Sequence, residues 1–162
     1  MKIISLNTQF KEDWIRTINH LANVFFEDTK IKVNEENVDF HIDIHYSVID
    51  EQIFKTSSSL KVEGKTYTSA YSKQYKEIGN ERESNIRIKR AISHVLLDVF
   101  EQYTGISQSW GILTGIRPTK LYHKLRKQGL SHEEIAKTLK EDFRVSDEKI
   151  LLMKEIVNRQ FA

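Results

Sequence analysis

The sequence predicts an α+β fold: an antiparallel sheet of about four strands covered by two helices, followed by a small three-helix C-terminal subdomain. Three observations predict it. Residues 38–48 alternate apolar and polar side chains without a break. Two stretches, Phe10–Phe25 and Glu81–Tyr103, repeat apolar residues at helical spacing. Residues 118–162 are divided by strong start and stop signals into three short helical segments.

In chain order, Lys2–Leu6 reads as a short strand. Phe10, Trp14, Ile18, Leu21, Ala22 and Phe25 then form one stripe of an amphipathic helix, with Trp14 as a core residue. Val38, Phe40, Ile42, Ile44, Tyr46 and Val48 alternate with Asp39, His41, Asp43, His45 and Ser47, which describes a strand with one wet face. His41 and His45 tempt a metal reading. Four residues along a strand separate them by about 13 Å, too far to share one ion without help from elsewhere. Ile53–Val62 and Lys65–Tyr75 are two further strands joined by a turn at Glu63-Gly64. Tyr67, Tyr71 and Tyr75 share a side of the second, where packing against a helix is favoured over base stacking because few basic residues interleave them.

Glu81–Tyr103 is the longest predicted helix. Ile88, Ile92, Val95, Leu96, Val99, Phe100 and Tyr103 make the face that covers the sheet, and burial at ~1.5–3 kcal/mol per side chain makes it the main brace of this lobe. Arg87, Arg90 and His94 are expected on its opposite, outer side, with Lys89 at the margin. Arginines so early in a helix oppose the dipole and favour an anionic partner.

Trp110-Gly111-Ile112-Leu113-Thr114-Gly115-Ile116-Arg117-Pro118-Thr119-Lys120 holds two of the six glycines and the single proline. It reads as a shaped loop handing over to a helix at Pro118, with Arg117 and Lys120 where helix N–H groups could meet an anion. A junction whose glycines allow tight packing is the plainer alternative. The helix from Pro118 carries Leu121, Tyr122 and Leu125 on one side and Arg117, Lys120, Lys124 and Lys127 on another, and stops at Gly129-Leu130. Ser131-His132-Glu133-Glu134 is a capping box that opens the next, through about Asp142. Ser146-Asp147-Glu148 opens the last, which carries Ile150, Leu151, Met153, Ile156 and Val157. The organisation expected is a lobe of residues 1–104, a glycine-containing connecting loop of 105–117 and a subdomain of 118–162.

Composition bounds the chemistry. With 25 basic and 23 acidic residues the net charge of +2 announces no polyanion binder, although residues 105–162, with 11 basic and 7 acidic, stand at +4 and leave −2 for the rest. The absence of cysteine excludes disulfides, a thiol nucleophile, a Cys-ligated zinc and any iron–sulfur cluster held by this chain. No apolar run approaches the ~20 residues of a membrane span, and the N-terminus turns polar too soon for a signal peptide, so a cytoplasmic setting without a membrane is expected. No triad, phosphate loop or helical histidine pair stands out; no catalytic residue and no metal ligand is assigned. Residues 133–139 look like the first helix of a helix-turn-helix. The connection 140–145 is longer than a tight turn, and Asp147 and Glu148 would repel phosphates at the start of the second helix, which argues against nucleic acid.

Asn85-x-x-x-Lys89-Arg90, then Trp110-Gly111-x-Leu113-Thr114-Gly115-Ile116-Arg117-Pro118-Thr119-Lys120, resembles the region ahead of the catalytic part in oxygen-independent coproporphyrinogen III oxidases (dehydrogenases) of the HemZ type. Lys124-Leu125, Gly129-Leu130-Ser131-x-Glu133-Glu134-Ile135 and Val145-Ser146-x-Glu148-Lys149 also fit. The match is specific over residues 85–160 and loose before them. What the resemblance implies is a radical SAM protein of haem biosynthesis. Such a protein holds a [4Fe–4S] cluster through a Cys-x-x-x-Cys-x-x-Cys motif and uses S-adenosylmethionine to oxidise propionate groups to vinyl groups. That motif lies downstream in the family and is missing here. The resemblance thus implies an N-terminal accessory domain, not catalytic alone, whose partner is the radical SAM domain of the same polypeptide. On that reading Arg87, Lys89, Arg90, Trp110, Arg117, Lys120 and Lys124 are, by their charge and placement, the candidates to contact that domain or a carboxylate-bearing porphyrinogen. A nucleic-acid-binding module with a helix-turn-helix-like C-terminal part, and a purely structural scaffold, are the alternatives.

Overall fold

The computed structural model describes residues 1–113 and 118–160, in two compact units, 1–106 and 107–162. Unit 1 contains β1 (Lys2–Leu6), α1 (Glu12–Phe26), β2 (Thr29–Val33), β3 (Phe40–Ile49), β4 (Ile53–Val62), β5 (Lys65–Gln74) and α2 (Glu81–Thr104). The five strands form one sheet in the order β2-β1-β3-β4-β5. The α+β class is as the sequence predicts, and the sheet has one strand more. β2, Thr-Lys-Ile-Lys-Val, pairs parallel with β1 along its whole length, and β1 also runs parallel to β3, so the sheet is mixed; the antiparallel part is β3-β4-β5.

Both helices contribute to one core on one side of the sheet. Ile4, Leu6, Phe40, Ile42, Ile44, Leu60 and Val62 from the strands meet Trp14, Ile18, Leu21 and Ala22 of α1 and Ile92, Leu96, Val99 and Phe100 of α2. Each strand alternates about this plane because successive side chains leave a strand on opposite faces. β3 keeps the predicted alternation but is buried only as far as Ile44; Tyr46 and Val48 point to the helix side and remain exposed, Tyr46 making a T-shaped contact with Trp14 at 5.3 Å. The β4–β5 turn places both Glu63 (φ 52°) and Gly64 (φ 76°) in the left-handed region, the signature of a two-residue hairpin matched to strand twist.

The three tyrosines of β5 are packing groups. Tyr67 lies 5.8 Å from the Tyr103 ring, Tyr71 stacks on His94 at 4.0 Å, and Tyr75 meets Phe54 edge-on at 5.4 Å. His94 is therefore not on the outer face of α2 as its spacing predicted. It is 4% exposed, and its flat ring fills the helix–sheet gap that an aliphatic residue would otherwise occupy. α2 begins with a full capping box, Glu83 N–H donating to Asn80 Oδ1 at 2.8 Å and Asn80 N–H to Glu83 Oε1.

In unit 2, α3 (Pro118–Lys127), α4 (His132–Phe143) and α5 (Asp147–Gln160) surround Leu113, Tyr122, Ile135, Leu139, Val145, Ile150, Met153 and Val157. α3 opens at Pro118, and Ser131 and Glu134 exchange the two bonds of the predicted capping box, at 3.2 and 3.1 Å. Leu151 is 56% exposed and stands off the core, because Ile150, Met153 and Val157 already fill the inward face of α5. One expectation fails here: the α4–α5 connection is shorter than predicted, since α4 continues to Phe143, leaving only Arg144-Val145-Ser146, with Arg144 in the left-handed region at φ 57°. That length is compatible with a helix-turn-helix, so the length argument against one falls, while the charge argument stands: the first turn of α5 carries Asp147 and Glu148.

Candidate functional site: a lysine-rimmed groove on the third helix

The candidate residues fall in different units. Arg87, Lys89 and Arg90 lie on α2 of unit 1; Trp110, Lys120 and Lys124 lie in unit 2; Arg117, with Thr114, Gly115 and Ile116, lies outside the described residues.

On α2 the charges are engaged within the unit. The Arg87 guanidinium lies 4.0 Å from the Tyr75 ring centroid and 5.9 Å from that of Phe54, and its Nη1 donates to the Glu77 carbonyl at 3.1 Å. This stacking costs the guanidinium little hydration and fixes it against the sheet end. Lys89 Nζ donates to Asp13 Oδ2 at 2.9 Å. That bond, with help from Arg16, holds the Asp13 carboxyl below its ordinary value. One turn earlier, Asn85 Oδ1 accepts from the Trp14 indole N–H at 2.7 Å. Asn85 and Lys89 are four apart and therefore share a helix face, from which both reach α1. The first half of the Asn85–Arg90 motif thus latches the two helices of unit 1 together. Arg90 is half-buried.

Trp110 is half-buried against the core of unit 2, with Lys149 Nζ 5.4 Å from its ring centroid. The residue after it explains the motif's first glycine. Gly111 is buried at φ 58°, and a Cβ there would stand 2.1 Å from the Phe143 carbonyl oxygen and 2.5 Å from Arg144. The close approach lets Ile112 N–H donate to Phe143 O at 3.0 Å and Ser146 N–H to Ser109 O at 2.8 Å, lacing the loop to the α4–α5 corner. Gly111 therefore serves packing, and Trp110 is partly engaged in it.

α3 is different. Its ten residues include Lys120, Lys124, Arg126 and Lys127 and no acid. Tyr122 is the helix's anchor, 1% exposed, its hydroxyl hydrogen-bonded to His132 Nδ1, and burial pushes its phenol above the ordinary value. With Tyr122 turned inward, Lys120, Lys124 and Lys127 are turned out. Together with Leu121, His123 and Gln128 they line a mostly apolar groove of about 630 Å³. His123 Nε2 is 2.7 Å from Gln160 Oε1, which ties α3 to the end of α5 beside the groove. Lysines suit such a place, since their stems extend the apolar floor while the ammonium groups stay in water. The arrangement offers apolar contact below and up to three charge-assisted donors at the rim, a fit for a flat apolar molecule or surface edged with carboxylates.

Sequence reasoning singled out Lys120, Lys124 and Lys127 but passed over His123 and Gln128. The spacing 120, 123, 124, 127 was the available signal, for it places these residues on one helical face. Among the described residues no group of three or more His, Asp or Glu side chains is gathered to hold a metal ion, and no helix is long and apolar enough to cross a membrane.

No established family profile matches the chain. It is similar to the oxygen-independent coproporphyrinogen-III oxidase-like protein HemZ of Bacillus subtilis (strain 168), with 40% identity over 148 residues, which are 91% of this chain and 29% of that protein. The chain thus spans less than a third of the length of this relative.

Proposed function

We propose that the chain is the N-terminal accessory region of a cytoplasmic coproporphyrinogen oxidase-like protein of haem biosynthesis, and that it docks on the catalytic region of the same polypeptide. The observation that carries this reading is the 40% identity sustained over 91% of the chain. In the longer protein a [4Fe–4S] cluster and S-adenosylmethionine supply radical chemistry. This chain has no cysteine and so does not fit the cluster; no step of the reaction is assigned to its residues.

The role given to this chain is recognition. A porphyrinogen is a largely apolar tetrapyrrole macrocycle bearing several carboxylates. The α3 groove offers Leu121 and lysine stems to the ring, and Lys120, Lys124 and Lys127 to the carboxylates. Titrating the 162-residue chain with coproporphyrin, followed by fluorescence, tests this role. Saturable binding that weakens with salt is expected, and Lys120→Glu with Lys124→Glu should weaken it by about tenfold or more, since each charge-assisted bond is worth ~1.5–3 kcal/mol. No binding at low salt removes the substrate role. Docking is tested separately, by co-purification with the separately expressed remainder of such a protein, and failure there removes the accessory role.

A further inference from the structure

The sheet of unit 1 treats its two edges differently. β2, at one edge, has five residues, two of them Lys30 and Lys32, and its first residue is tied to α1 by Thr29 N–H donating to Asn23 Oδ1 and Thr29 Oγ1 donating to Asn19 Oδ1. A short edge strand studded with lysine resists pairing with another strand. β5, at the other edge, has ten residues, Lys-Thr-Tyr-Thr-Ser-Ala-Tyr-Ser-Lys-Gln, all in register with β4, without proline or bulge and without charge between Thr66 and Ser72.

The direction of its free groups follows from the hairpin. Val62 and Lys65 flank the two-residue turn, so Lys65 and every second residue after it direct their N–H and C=O groups to β4. Tyr75 N–H donating to Gln52 O agrees with this parity. Thr66, Thr68, Ala70, Ser72 and Gln74 direct theirs outward. Gln102 Nε2, reaching across from α2, donates to the Thr68 carbonyl at 2.9 Å, as an outward carbonyl allows.

We propose that two copies of this chain associate through the outer edge of β5, antiparallel, about a two-fold axis at Ala70. Two registers pair nearly all of the strand with itself, one centred on Ser69 and one on Ala70. The first sets Lys65 directly against Lys73 of the other copy, which like charge disfavours. The second pairs Ala70 with Ala70, Thr68 with Ser72 and Thr66 with Gln74, each pair exchanging both backbone bonds. On the helix side it sets Tyr67 against Lys73 and Ser69 against Tyr71. The axis falls on the one residue of the strand whose methyl side chain crowds nothing. Gln102 releases the Thr68 carbonyl to Ser72 of the other copy. The ten-stranded sheet that results has β2 at both outer edges, already guarded, so the assembly closes at two.

Sedimentation velocity of the full 162-residue chain should show a species of twice 19.1 kDa whose fraction rises with concentration. Because the chain has no cysteine, Ala70→Cys introduces a single thiol. Mild oxidation should convert that variant to a covalent dimer, and should leave Lys30→Cys, on the opposite edge, uncrosslinked. Ala70→Pro removes an outward N–H that the β4 ladder does not use, and should abolish the dimer with an unchanged circular dichroism spectrum. If it misfolds, Ala70→Lys, which sets two ammonium groups against each other, should weaken the dimer by about fivefold. A monomer at every concentration, a dimer that survives Ala70→Pro, or cross-linking no faster at position 70 than at position 30 would overturn the proposal. A strand from a different protein pairing at this edge would appear as the first of these.

Discussion

The two units reach stability by opposite routes. In unit 1 the decisive contacts join residues far apart in the chain: β1 to β2 and β3, Trp14 to Asn85, and Asp13 to Lys89. Sixteen buried residues form its core. In unit 2 the decisive signals lie within a few residues of each other, with Ser131 and Glu134 opening α4 and the Arg144 turn leading to Ser146 at the start of α5, around a core of eight among the described residues. A sheet must gather its strands before it gains anything, whereas a capped helix gains from its immediate neighbours. Unit 1 should therefore be the more cooperative and unit 2 the more prone to open locally.

The largest test of this contrast is Phe100→Ala. Phe100 is fully buried, with ring contacts to Phe25 and Phe26 at 5.3 Å each, and its loss should cost ~3–5 kcal/mol in chemical denaturation. Hydrogen exchange distinguishes the units: amides of β3, β4 and β5 should lose protection while those of α4 and α5 keep theirs. Equal loss in both would break the comparison and make the chain one cooperative body.

A smaller effect sharpens it. Ser131→Ala and Asn80→Ala remove the same capping box from the two units, each at a cost of ~0.5–2 kcal/mol. The helices behind the caps differ. α2 runs 24 residues and buries nine of them, while α4 runs 12 and buries Ile135 and Leu139. Exchange should therefore quicken along all of α4 in the first variant and only in the first turn of α2 in the second.

The same division governs what the sequence discloses. In unit 2 the helix starts at Pro118, Ser131 and Ser146 were legible because a cap is a statement about three or four neighbouring residues. In unit 1 the β4–β5 hairpin and the apolar faces of α1 and α2 were legible for the same reason. β2 was not. Thr29, Ile31 and Val33 do alternate with Lys30 and Lys32, but five residues are a faint signal, and what makes them a strand is parallel pairing with Lys2–Leu6. His94 was misplaced because its position depends on Tyr71 across the helix–sheet gap, which helical spacing does not encode. Of the candidate site, the lysines of α3 were readable from their period, whereas the groove between them depends on which neighbours fill the space behind Tyr122. The resemblance motif mixes both kinds of residue, since Asn85, Lys89 and Gly111 hold the fold while Lys120 and Lys124 face outward.

The smallest predicted effect compares two carboxylates, one in each unit. The Asp13 carboxyl is held low first by its bond to Lys89, 76 residues away, and the Glu134 carboxyl first by the Ser131 backbone N–H, three residues away. A carboxyl whose value is depressed in the folded state adds stability above its unfolded value, and that contribution is lost as pH falls through the folded one. Both units should therefore weaken together below about pH 4, the ordinary carboxylate range. Salt separates them. The half-exposed Asp13–Lys89 pair, worth ~0.2–1 kcal/mol, is screened, while a bond to a backbone N–H three residues away involves no opposite charge to screen. Raising ionic strength at neutral pH should thus erase the difference in stability between the chain and its Asp13→Asn variant, and leave the cost of Glu134→Gln nearly unchanged. If salt reduces the two alike, the distinction between a distant and a neighbouring partner has no electrostatic content.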